Sequence, residues 1–171
     1  MELPPITLSI CSDEEMVTSM KILVFSDSHG RLGLMLDAME KERPGRVFFL
    51  GDNYRDGEDL AAAYPDIPVD MVVGNCDFCP GPDELLVEAG GVRFLLTHGH
   101  RYHAKSGTSR LVEAGKRTGA AVVCFGHTHE ALNMPERGVW LFNPGTAGGV
   151  HNRPAYGVIV VNNGQFRSEL R

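Results

Sequence analysis

Ile22-Leu23-Val24-Phe25 runs without a break into Ser26-Asp27-Ser28-His29. Four consecutive apolar residues form a buried strand, and the small polar residues after them form a loop carrying a carboxylate and an imidazole two positions apart. The same juxtaposition recurs four times. Val47–Leu50 runs into Gly51-Asp52-Asn53, Val69–Val73 into Gly74-Asn75-Cys76-Asp77, Val92–Leu96 into Thr97-His98-Gly99-His100, and Ala121–Phe125 into Gly126-His127-Thr128-His129. In an open α/β sheet, ligands bind beyond the carboxyl ends of the strands, so five strand ends direct Asp, Asn and His at one rim. Glycines at four of these corners let the chain turn sharply. If the loops stay extended, Asp27 and His29 share a face, and so do His127 and His129.

Between these strands the spacing alternates with helical segments. Leu32, Met35, Leu36 and Met39 define an amphipathic helix over 32–41, ended by Pro44-Gly45. Shorter helices are expected over 56–63 and 106–117. Gly90-Gly91 joins the strand-like runs 84–88 and 92–96 as a hairpin turn, and 139–142, 156–161 and 165–170 read as further strands, the last two joined through Asn162-Asn163-Gly164. The expected fold class is α/β: two packed mixed β-sheets flanked by helices. There is no internal repeat, low-complexity tract or linker.

The 171 residues suffice for one domain with its own core, and 43% hydrophobic with 22% charged residues is a globular composition. A net charge of −6 disfavours a protein that coats nucleic acid, because phosphate backbones demand a basic face; a small substrate is the better expectation. No apolar stretch reaches membrane-spanning length, and Met1 to Met20 lacks the basic and apolar regions of a secretory signal. The four cysteines (Cys11, Cys76, Cys79, Cys124) have no disulfide-framework spacing, which fits a cytoplasmic protein. Residues 1–19 carry no clear period and are expected to be an N-terminal extension or to precede a natural start at Met20, leaving 20–171 as the domain.

Each motif alone is ambiguous. A lone Asp-x-His is usually a turn, and a Gly-Asp after a strand is usually a loop or helix cap. Five in order, each at a strand end, point to a metal centre. Together Asp27-x-His29, Gly51-Asp52, Gly74-Asn75-Cys76-Asp77, His98-Gly99-His100 and Gly126-His127-x-His129 resemble the signature of the calcineurin-like metallophosphoesterases. The Gly-Asn-Cys-Asp form, with Asn143-Pro144-Gly145-Thr146 downstream, is most similar to small phosphodiesterases of the YfcE type, and the resemblance covers Met20 to Arg171.

That resemblance implies the metallo-dependent phosphatase fold and two divalent metal ions. Asp27, His29, Asp52 and His129 would hold one ion; Asp52, Asn75, His98 and His127 would hold the other, with Asp52 bridging. Mixed imidazole and oxygen ligation suits manganese, iron, nickel or zinc better than calcium; the family resemblance makes manganese the first choice, with nickel, iron, zinc or magnesium as alternatives. The implied reaction is hydrolysis of a small phosphodiester by a metal-bridging hydroxide. Asp52, Asn75, His100 and Asp77 are the expected catalytic residues, His100 through substrate contact or proton transfer and Asp77 by orienting neighbours. Many relatives carry His where this chain has Cys76, a poorer proton donor, which favours substrates with good leaving groups.

Cys76-x-x-Cys79 has no second cysteine pair to complete a zinc site. Arg153 can reach a phosphate or remain a surface residue, and His103 and His151 read as surface residues. Specificity is expected in loops such as 101–105 and 145–154. Two rival functions carry the same motifs: a nuclease, which in this family usually has extra domains for DNA, and an interaction scaffold of the retromer-subunit type, whose metal ligands are degraded. All seven ligand positions are filled here, which argues for an enzyme. Small relatives often form homodimers or homotetramers.

Overall fold

The computed structural model describes residues 19–171, so the expected extension lies, apart from Ser19, outside the described residues. Two five-stranded sheets carry the chain. In the first, β1 (Met20–Phe25), β2 (Arg46–Phe49) and β3 (Val69–Met71) are parallel, and β9 (Gly157–Asn162) and β10 (Gln165–Leu170) continue it antiparallel in the order β10-β9-β1-β2-β3. In the second, β5 (Val92–Thr97), β6 (Val122–Cys124) and β8 (Val139–Asn143) are parallel, with β4 (Glu84–Ala89) and β7 (Leu132–Glu136) antiparallel at the edges, in the order β4-β5-β6-β8-β7.

The apolar runs are continuous because their strands are buried on both faces. Ile22, Val24, Phe48 and Leu50 meet Phe94, Leu96, Val122, Cys124 and Phe142 between the sheets. The alternate residues Leu23, Phe25, Val47 and Phe49 face Met35, Ala38, Met39 and Leu60. These come from α1 (Gly33–Glu42) and α2 (Tyr54–Ala63). Leu95, Val123 and Leu141 face Leu111, Val112 and Ala114 of α3 (Ser109–Thr118). Two packed mixed sheets with helices on their outer faces are the architecture expected.

The expected hairpin turns at Gly90-Gly91 and Asn163-Gly164 have both central residues at positive φ, as tight hairpins require. Strand β7 is missing from the sequence reading. It contains Pro135, which normally demotes a strand, but at a sheet edge its absent N–H costs no ladder bond. The third helix begins at Ser109, not 106, because residues 100–106 form two single 3-10 turns before it.

All six parallel strands therefore end on one side. The first sheet delivers the loops with Asp27, Asp52 and Asn75. The second delivers His98, then His127 and His129, and after β8 a sixth corner, Asn143 to Thr146.

Candidate metal centre

Asp27, His29, Asp52 and His129 each offer a ligand atom within 4.8 Å of the others. His129 Nε2 lies 3.1 Å from Asp27 Oδ1 and 3.4 Å from His29 Nε2, and His29 Nε2 lies 3.9 Å from both Asp27 Oδ1 and Asp52 Oδ2. These residues do not converge through extended loops. Asp27, His29, Asp52, His127 and His129 all have φ between 46° and 67°, in the left-handed region. Asp and His tolerate that region better than most residues, and such strain typically costs about 1 kcal/mol or more per residue. The expectation that His127 and His129 share a face is thereby corrected. His129 joins Asp27 and His29, whereas the His127 ring packs on His98, with centroids 5.1 Å apart.

The second group is looser. His98 Nε2 lies 3.1 Å from Asn75 Oδ1 and 3.4 Å from Asp52 Oδ1, and His127 joins through its ring contact. The Asp52 carboxylate thus presents one oxygen to each group.

Hydrogen bonds fix these side chains from behind. Asp27 Oδ2 accepts from Ser26 Oγ (2.5 Å) and from the His127 backbone N–H (3.0 Å), which turns Oδ1 toward the histidines. Among the described residues Oδ1 is buried without a hydrogen-bond partner, a costly state for a carboxylate oxygen that a cation would relieve. The Leu50 carbonyl lies 2.7 Å from His98 Nδ1 and the Val150 carbonyl 3.2 Å from His129 Nδ1. A carbonyl only accepts, so both Nδ1 atoms carry the proton and both Nε2 atoms present a lone pair in the neutral ring, the arrangement usual for metal-bound imidazole. The donor set and the orphaned oxygen fit a divalent cation.

Electrostatics agree. Burial alone would raise the Asp52 pKa, but His98 and the Cys76 N–H (2.9 Å) hold it well below the usual carboxylate range. Burial likewise disfavours charged His98, yet Asp52 and Asp27 raise its pKa overall. Oxygens that draw a proton to His98 also draw a cation. His127 is pushed down to about 4, by burial first and then by the charges of His98 and Lys105, and so keeps its lone pair at neutral pH.

Asp77 belongs to the framework. Its Oδ1 accepts from the N–H groups of Asn53 (2.9 Å) and Tyr54 (2.7 Å), and its Oδ2 from those of Asp52 (3.0 Å) and Gly74 (2.7 Å). Both of its oxygens are thus engaged by backbone N–H groups of the Asp52 and Asn75 loops. Asp56, absent from the sequence reading, does the same for the His29 loop, accepting from Ser28 Oγ (2.6 Å) and the Gly30 N–H (2.8 Å). Asn143 Nδ2 donates to the Gly126 carbonyl and to Thr128 Oγ1, both at 3.0 Å, and Thr146 Oγ1 donates to the Asp27 carbonyl at 2.9 Å. Buried Asp, Asn and Thr beside a strand end were the available signal for these braces. Two glycines are required by contact: a Cβ at Gly126 would strike Ser26 Oγ, and one at Gly74 would strike Asp52 Oδ1.

An open cleft of about 510 Å³ leads away from Asn75, lined among others by Cys79, Pro80, Asp83, His100 and Arg101. His100 packs its ring against His98 at 5.4 Å, and burial, then His98 and Arg101, lower its pKa. Cys76 and Cys79 are free and exposed, and burial followed by the Asp52 charge raises the Cys76 pKa. His151 is exposed and stacks on His129 with centroids 6.3 Å apart, a contact between two loops that no local pattern shows; His103 is exposed as well, in a shallow cleft beside the start of α3. Arg153 is exposed and lines a separate shallow cleft with His129 and Asn152.

A family model described as the calcineurin-like phosphoesterase superfamily domain matches residues 20–164, and the chain belongs to that superfamily. A Bacillus subtilis relative, Probable metallophosphoesterase YsnB, is 36% identical over 132 residues, covering 74% of this chain and 75% of its own. Among solved structures, a conserved protein from Streptococcus pneumoniae described as a predicted phosphoesterase has a TM-score of 0.74 at 24% identity, covering 90% of this chain and 89% of that one. Vacuolar Protein Sorting 29 from Cryptosporidium parvum has a TM-score of 0.72 at 18% identity over 90% and 97% of the two chains. YfcE, a phosphoesterase from Escherichia coli, has 0.61 at 21% identity over 82% and 91%. These likenesses are in fold; the first curated relative and the family model carry the membership.

Proposed function

We propose that the chain is a two-metal phosphodiesterase acting on a small phosphodiester. The observation that carries this reading is the Asp52 carboxylate, with one oxygen toward His29 and the other toward His98. A carboxylate divided between two donor groups suits a bridge between two cations. In this reading Asp27, His29, Asp52 and His129 hold one ion, and Asp52, Asn75, His98 and His127 hold the other. When bound, such a pair supplies positive charge to polarise the phosphoryl group and to acidify an attacking water. Manganese is proposed first on the family resemblance; imidazole beside carboxylate and amide oxygen also suits iron, nickel or zinc.

The chain's own residues supply the rest. The Asp77 and Asp56 carboxylates hold the ligand loops rigid, and Asn75 stands where the ligand group meets the cleft. A diester has a second substituent that a monoester lacks, and the cleft beside Asn75 gives it a place. His100 is proposed as a substrate-contact residue in that cleft. Cys76, with its raised pKa, is a weak acid at neutral pH, so esters with good leaving groups are favoured.

The net charge of −6 supports a small substrate over a nucleic acid. Among the described residues no helix is long and apolar enough to cross a membrane. Free exposed cysteines support a reducing, cytoplasmic setting. A homodimer or homotetramer is proposed by family resemblance and is read directly by light scattering.

The test is turnover of bis(p-nitrophenyl) phosphate and p-nitrophenyl phosphate by metal-stripped protein with manganese restored, beside Asp52→Ala. Manganese-dependent turnover that is faster on the diester, and reduced about a thousandfold or more in the variant, is expected. Folded protein without turnover in manganese, nickel, iron, zinc or magnesium would instead favour the interaction scaffold.

A further inference from the structure

The cleft that opens from Asn75 has two walls from different parts of the chain. One is the segment after β3, with Cys79, Pro80, Gly81 and Asp83; the other is the turn after β5, with His100 and Arg101. At about 510 Å³ it lies within the roughly 300–1,000 Å³ range of small-molecule sites. Its lining includes one guanidinium, Arg101, and two carboxylates, Asp77 and Asp83. Asp77 is occupied by four backbone N–H groups. Asp83 reaches across to Arg101, with Oδ2 2.9 Å from Nη2. Lys105, whose charge is felt at His127, is not part of the lining.

Among the described residues, the one side-chain cation of the cleft therefore has an internal partner. A second anionic group on the substrate, bound at the end of the cleft away from the metal ligands, would have to displace Asp83 from Arg101 and would meet the Asp83 charge. An uncharged substituent meets neither obstacle. Val73, Pro80 and Gly81 give it apolar wall, and His100 Nδ1, buried without a hydrogen-bond partner among the described residues, is a polar atom of the same lining residue.

We infer that Asp83, acting through Arg101, sets the charge specificity of the cleft, so that it takes an uncharged, nucleoside- or aryl-sized substituent and discriminates against one with a further phosphate. The inference rests on the phosphodiesterase reading. Arg101 is the contact residue, and Asp83, beside it in the lining, acts by engaging its guanidinium. The Arg101 and Asp83 side chains are 65% and 38% exposed, so their ion pair is of the weak surface kind and its removal has a modest, charge-selective effect.

The test uses a matched pair with one leaving group: the p-nitrophenyl ester of thymidine 5′-phosphate and the same ester with an added 3′-phosphate. The manganese-loaded wild type should show higher kcat/KM on the first. Asp83→Asn frees Arg101 and should raise kcat/KM on the second by about two- to fivefold, through KM and not kcat, while changing the first by less than about twofold. Arg101→Ala should widen the gap. A wild type that prefers the added phosphate, or an Asp83→Asn variant that shifts both substrates equally, overturns the inference. Calorimetric binding of thymidine 5′-phosphate and thymidine 3′,5′-bisphosphate to the same proteins gives a second readout. Hydrolysis of bis(p-nitrophenyl) phosphate tells the two failures apart. Its absence defeats the phosphodiesterase reading, and the binding ratios still decide the charge specificity; its presence with flat ratios defeats the charge specificity alone.

Discussion

The two halves of the ligand cluster are built differently. In the half around Asp27, four ligand atoms already lie within 4.8 Å, buried hydrogen bonds brace the loops of Asp27, His29 and His129, and one carboxylate oxygen has no hydrogen-bond partner among the described residues. In the half around Asn75, contacts run pairwise through His98, Asn75 is exposed, and the cleft opens alongside. The first is preorganised and closed, so little reorganisation opposes binding there. The second stays accessible, as the part that receives substrate must. One site is thus expected to bind its ion tightly and the other to exchange.

The largest test of that contrast removes one ligand from each half. Asp27→Asn should weaken the tighter of two manganese sites at least about a hundredfold, and Asn75→Ala should weaken only the looser one by about tenfold, both read by calorimetric titration. Equal losses at both sites from either variant would show that the halves act as one. A sharper probe leaves every ligand in place. Gly126→Ala drives a methyl group into Ser26 and Asp27, so it should cost about 1–3 kcal/mol and lower Tm by several degrees, with the tight site affected more than the looser one. An unchanged Tm would mean the Ser26–Asp27 brace can shift freely.

The smallest effect is in pH. The His98 pKa is raised, so in metal-free protein its proton persists to higher pH than in an unperturbed histidine, and a cation must displace it. Manganese affinity should therefore fall as pH is lowered, with proton release on binding; His98→Gln should bind more weakly but with a flatter pH slope. His127, held down to about 4, should add no slope near neutrality. Titrations in buffers of different ionisation enthalpy count the protons, and identical release by wild type and variant would assign the proton elsewhere.

Much of this was legible in the residues. Apolar runs ending in Asp, Asn or His marked the strand ends, and the family resemblance grouped the donors. The failures have physical causes. Strand β7 was hidden by Pro135, whose cost vanishes at an edge that only the assembled sheet defines. The left-handed conformations of Asp27, His29 and His129 could not follow from extended-chain periodicity, because loop dihedrals are imposed by neighbours such as Asp56, Asn143 and Thr146. Those braces lie between 17 and 119 residues from the groups they hold, beyond any local pattern. The Asp83–Arg101 pair likewise joins two loops that only folding brings together.

The unpartnered Asp27 oxygen has a consequence for the life of the protein in a cell. An ion bound only by the folded chain stabilises it by about 2.7 kcal/mol at a hundred times its dissociation constant. Without the ion, the buried carboxylate favours opening of the rim, and opened chains are the ones proteases take. Metal supply would then govern how many copies persist as well as how fast each one works, and starvation for the ion would clear the protein instead of leaving it idle.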